Sequence, residues 1–172
     1  SLCFCLSMVA LYAASAIYHY YPGDTTSGGV KKLLRKMDHG MIYVLIAGTY
    51  TPILLTYLDP PKGTAFTAAM WIIAAAGILM KLFWFHAPRW LSTSLYLLMG
   101  WAILADVSIF SRMSSGALWL LVLGGICYTA GGVIYGIKKP NISTKLGFHE
   151  LFHLFVLGGS LFHYLLVLFY IA

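Results

Sequence analysis

His149 and His153 are four positions apart, the spacing that stacks two side chains on one face of a helix. Two imidazoles one turn apart can grip a single metal ion, as the helical histidine pairs of zinc enzymes do. Ser15 and His19 have the same spacing on another segment. A third nitrogen, from His19, leaves a fourth metal position open for water, which is the pattern of catalytic rather than closed structural sites. Asp38 is a carboxylate at the start of an apolar segment, beside His39. The competing reading makes the paired histidines water-bonded groups at a headgroup boundary, and Asp38 a cap that stabilises a helix dipole.

The elements that must position these residues are membrane spans. Apolar and aromatic residues make up 60% of the 172 residues and charged residues only 9%, against about 25% charged in an ordinary globular domain. Mean hydropathy is +0.84. So few charges do not cover a soluble surface, and disordered chains, disulfide scaffolds and nucleic-acid-binding domains are excluded with it. The expected fold class is all-α, a polytopic transmembrane bundle forming a single domain over 1–172. Its spans fall near 1–20, 38–58, 64–86, 90–110, 114–137 and 148–172, each long enough for a bilayer that takes about 20 residues. Barrel strands would alternate in polarity and be half as long.

Loop charge sets the orientation. Lys31, Lys32, Arg35, Lys36, Lys81, Arg89, Lys138, Lys139 and Lys145 fall on one side, with Lys62 and Arg112 on the other. The basic side is cytoplasmic, and the net charge of +6 follows from membrane topology rather than from a nucleic-acid partner. His19 then ends the first span, Asp38 opens the second, and His149 and His153 open the last, all at the cytoplasmic edge. The charge count used none of these four residues. Asn141-Ile142-Ser143 fits a glycosylation pattern but falls on the cytoplasmic side, so it is expected to go unused.

Four motifs carry a resemblance that runs over the whole chain: Ser15-Ala-Ile-Tyr-His19, Asp38-His-Gly-Met-Ile-Tyr, Ala47-Gly-Thr-Tyr-Thr-Pro52 and His149-Glu-Leu-Phe-His153-Leu-Phe-Val. In this order they resemble the hemolysin III family. This is the bacterial branch of the progestin and adiponectin receptor proteins, within a superfamily that shares a Ser/Asp/three-His pattern and includes alkaline ceramidases. The resemblance implies seven helices, with the N-terminus inside and the C-terminus outside, so that a helix precedes residue 1. It also implies a bacterial cytoplasmic membrane. His19, His149 and His153 correspond to zinc ligands, Asp38 to the acid beside the metal-bound water, and Ser15 to the motif serine. Three imidazoles suit several transition metals; the resemblance is what selects Zn2+.

Zinc on three neutral imidazoles brings its water to a pKa of about 7. Asp38 is placed to take the water's proton and pass it to a leaving group, and Ser15 to hydrogen-bond the water or a developing oxyanion. A site at the inner edge of an apolar bundle suits membrane lipids as partners and an acyl-lipid amide or ester as substrate. Two rivals remain open. One is a non-enzymatic receptor-like or membrane-homeostasis protein with structural zinc. The other is a pore or transport protein with cytolytic activity, which would need polar residues through the whole depth.

Several further expectations concern packing. Cys3, Cys5 and Cys127 are read as separate buried thiols. Glu150 and His39 are each turned about 100° from their neighbours and are not expected to be ligands. Glu150 takes an interfacial or outer role, and His39 bonds a neighbouring helix or a headgroup. His86 is a loop-edge residue. Pro52 should kink the second span, with Thr49 and Thr51 satisfying freed backbone groups. Gly132 and Gly136 form a GxxxG step, with Gly124, Gly125 and Gly131 nearby, for packing within the chain. Asp106 and His163 fall at roughly equal depth, which would let them pair.

Overall fold

A computed structural model describes residues 1–23, 29–84, 88–143 and 146–172. His86 and Lys145 lie outside them. The described residues are helical: α1 (Leu2–Tyr20), α2 (Val30–Tyr57), α3 (Pro60–Phe83), α4 (Arg89–Gly100), a 3-10 turn (Ala102–Ala105), α5 (Ser108–Ser111), α6 (Ser115–Ile137) and α7 (Phe148–Tyr170). Among them α1, α2, α3, α6 and α7 are long and apolar enough to cross a membrane. The chain divides into two compact units, Ser1–Ala87 and Pro88–Ala172.

In the first unit α2 packs against both α1 and α3. Glycines set the approach. A Cβ on Gly48 of α2 would lie 2.2 Å from the Ser7 Oγ and 2.6 Å from its Cβ. A Cβ on Gly77 of α3 would meet the Tyr43 ring at 2.5 Å. Phe4, Ser7 and Leu11 form the buried stripe of α1, at the three- and four-residue steps of one helix face. α2 continues through Pro52. Thr49 and Thr51 donate to the carbonyls of Leu45 and Ala47, at 2.7 and 2.9 Å, rather than to that of Gly48, which Pro52 deprives of its amide partner. The Thr51 hydroxyl also accepts from the Trp71 indole at 3.0 Å, tying α2 to α3.

In the second unit α6 and α7 are antiparallel. Added Cβ atoms on Gly116, Gly124 and Gly131 would strike Tyr170, His163 and Phe155 in turn, so position rises along one helix as it falls along the other. Gly132 and Gly136 face Leu97 and Thr93 of α4 instead. The GxxxG step thus serves packing within the chain, and α6 offers small residues on two faces.

Three expectations are corrected. The span near 90–110 is not one helix. α4 has 12 residues, about 18 Å, short of a bilayer crossing of about 30 Å. It ends at Gly100, whose Cα faces open space. Beyond it, Asp106 accepts bonds from the Ser108 amide (3.2 Å) and hydroxyl (2.6 Å), a local turn that competes with the helical ladder. The Trp101 indole donates to Thr129 of α6 at 3.0 Å and holds the break there. Asp106 and His163 do not pair: the His163 Nε2 faces the Leu121 carbonyl at 3.2 Å, and its Nδ1 is buried without a hydrogen-bond partner among the described residues. Counting 1.5 Å per residue along an unbroken helix had put both at one depth, and the break at Gly100 removes that basis. The three cysteines are free but half-buried rather than buried.

Candidate metal centre

The second span begins earlier than its hydropathy suggests. Its N-cap is Gly29, and Asp38 is the ninth residue of α2, so it neither caps that helix nor sits in its first turn. The capping role is excluded. The buried Asp38 instead faces α1. Contact at Ser7 and Gly48 sets the register between these antiparallel helices. Asp38 lies about 15 Å along α2 from Gly48, while Ser15 and His19 lie about 12 and 18 Å along α1 from Ser7. The carboxylate therefore falls between them. Ser15 hydrogen-bonds it, and the His19 imidazole is close enough to interact with it electrostatically. A Ser15 hydroxyl in this position donates to the Asp38 carboxylate.

His39 does not reach a neighbouring helix through its Nδ1. That nitrogen donates to the Arg35 carbonyl of its own helix at 2.8 Å and lies 3.4 Å from Asp38 Oδ2. The 100° step from Asp38 carries the ring along the helix surface, yet leaves the two side chains within reach.

In the second unit His149 and His153 bring their Nε2 atoms to 3.2 Å. Two metal–nitrogen bonds of about 2.05 Å at a tetrahedral angle span about 3.3 Å, so this pair has the bite of a chelate. Their ring centroids are 4.6 Å apart, edge to face. Phe152 and Tyr135 flank His149, with centroids at 6.4 and 6.5 Å, and Tyr135 stacks on Phe152 at 4.9 Å. These rings limit the rotamers open to His149.

Glu150 is part of the scaffold under the histidines. Its Oε2 accepts the Gly147 amide at 2.9 Å, and Asn141 Oδ1 accepts the Phe148 amide at 3.0 Å. Both satisfy amides at the start of α7, one turn or less from His149. The signal was in the sequence, because Glu150 is the third residue of the helix, but the Asn141 cap comes from a loop and has no periodicity to find it by.

The structure thus joins Ser15, His19 and Asp38 in one unit and His149 with His153 in the other. Comparison with known proteins bears on the chain as a whole. Hemolysin-3 homolog of Bacillus subtilis (strain 168) is 40% identical over 168 residues, 97% of this chain and 75% of the relative. Hemolysin-3 of Bacillus cereus is 38% identical over 169 residues, 96% of this chain and 72% of the relative. The family described as haemolysin-III related matches residues 1–164. With five helices apolar and long enough to cross a bilayer, the chain is an integral membrane protein and belongs to the haemolysin-III related family.

Proposed function

We propose that this protein is a zinc-dependent hydrolase of an acyl-lipid amide or ester bond, working at the cytoplasmic edge of a bacterial cytoplasmic membrane. The observation that carries the proposal is the 3.2 Å convergence of the His149 and His153 Nε2 atoms. By the family resemblance, His19 is the third imidazole. Zinc, when bound, supplies Lewis acidity and makes water a nucleophile near neutral pH.

The chain's own groups do the proton work. Asp38 takes the proton of the attacking water as the bond from oxygen to acyl carbon forms, and returns it to the leaving nitrogen or oxygen as that bond breaks. Ser15 holds the carboxylate in place.

Elemental analysis of the purified protein tests the metal, and turnover of amide- and ester-linked acyl lipids tests the chemistry. Near-stoichiometric zinc is expected, lost in H149A/H153A. D38N is expected to keep its zinc and lose turnover by 10²-fold or more, the usual scale of a general base. A folded protein that takes up no added zinc overturns the proposal. Zinc uptake without turnover of either lipid class assigns the metal a structural role.

A further inference from the structure

A carboxylate that moves a proton must be fixed in direction as well as in place. The torsion that turns a carboxylate about its last carbon–carbon bond is broad and two-fold, so one hydrogen bond pins an oxygen and leaves the plane of the group able to swing. Ser15 supplies one such bond to Asp38 from α1. A second holder stands on α2 itself. The His39 ring reaches back toward its neighbour, with Nδ1 3.4 Å from Asp38 Oδ2 and 2.8 Å from the Arg35 carbonyl.

The Arg35 oxygen only accepts hydrogen bonds, so the hydrogen-bond network assigns the proton to Nδ1. One N–H then faces two acceptors, a carbonyl and a carboxylate, in a three-centre arrangement. The contact with Arg35 follows from the helical repeat, because residues four apart share a face. The contact with Asp38 does not. Adjacent residues of a helix point about 100° apart, and the ring must lie along the helix surface to close that gap. A histidine near the edge of a span can turn both nitrogens to headgroup water, yet this side chain is only 19% exposed, beside an Asp38 side chain that is 12% exposed. Among the described residues, the polar and titratable groups that reach Asp38 are Ser15 and His19 of α1 and His39 of α2. The two donors, Ser15 and His39, thus come from different helices.

We infer that His39 is a positioning residue for Asp38: its Nδ1–H helps to hold Oδ2 and, with Ser15, aims the carboxylate at the attacking water. The inference rests on Asp38 being the general base. In this role His39 neither gives nor takes a proton and acts only through Asp38.

Two variants separate the Nδ1 position from the ring as a whole. In H39N the amide nitrogen stands where Nδ1 does, whereas in H39Q it lies one bond farther out, at the level of Nε2. Both are purified with zinc and assayed on amide- and ester-linked acyl lipids. H39Q is expected to lose kcat by about 10- to 100-fold, the scale of a misplaced reacting group. Its KM should stay within about two-fold, because substrate binding is untouched. H39N should keep most of the wild-type kcat, and zinc content and Tm should match the wild type in both. Nitrogen NMR of protein labelled at histidine reads the same contact without turnover. His39 is expected as the Nδ1–H tautomer, and D38N should shift its Nδ1 proton. An unshifted proton in D38N, or equal kcat in H39N and H39Q, overturns the inference and leaves the hydrolase reading standing. A zinc-loaded wild type that turns over neither lipid class removes the general base, and both fall together.

Discussion

Gly48 is the residue on which the first half of the site depends, and Gly48→Ala tests that dependence. The new methyl would sit 2.2 Å from the Ser7 Oγ and 2.6 Å from the Ser7 Cβ. The hydroxyl could swing aside, at the loss of its 2.7 Å bond to the Phe4 carbonyl. The Ser7 Cβ cannot move without α1. Carbon atoms rest at about 3.5–4.0 Å, so the helices must separate by about 1 Å at this point. Overpacking of this kind costs about 1–3 kcal/mol. For a chain of this size each kcal/mol lowers Tm by about 2–4 °C, so a fall of about 2–12 °C is expected in detergent. Ser7→Gly removes both clashing atoms but costs about 0.5 kcal/mol of helix propensity on its own. The double variant S7G/G48A should therefore be more stable than the two single losses combined, by at least about 1 kcal/mol. Thermal unfolding of the four proteins measures this coupling. An unchanged Tm in G48A, or additivity within about 0.5 kcal/mol, would refute the register assigned to α1 and α2.

Two further outcomes follow from the second unit. Glu150→Ala removes the acceptor for the Gly147 amide and should cost about 0.5–2 kcal/mol, with faster amide exchange confined to the first turn of α7; exchange unchanged there would show that Asn141 alone holds the helix start. Asp106→Asn and His163→Ala should lower stability additively, within about 0.5 kcal/mol, because Asp106 bonds Ser108 and His163 bonds Leu121; a coupling above 1 kcal/mol would restore the direct pair.

Much of the molecule is legible without coordinates because a membrane leaves the backbone few choices. Long apolar runs had to be helices, and five of the six expected spans are single helices of crossing length. Local spacing was equally informative. Four-residue steps put His149 beside His153 without any knowledge of neighbours, and the 3.2 Å separation of their nitrogens follows from that step.

Other features depend on groups distant in sequence. Hydropathy starts the second span at Asp38, because Lys31, Lys32, Arg35 and Lys36 read as loop. Lysine, arginine, leucine and methionine are nonetheless good helix formers, and tethers to Tyr21 and Leu82 hold them helical. The break after Gly100 was hidden because its residues are as apolar as a span, and only Asp106 and the Trp101–Thr129 bond reveal it. Sequence by itself determined the class of fold, the histidine pair and the family, since each rests on local pattern and composition. Tertiary structure decided which partners Asp38, Glu150, Ser15 and His163 bond. A polar side chain in an apolar setting takes the partner that packing brings to it, and glycine contacts such as Ser7 with Gly48 set which partner that is.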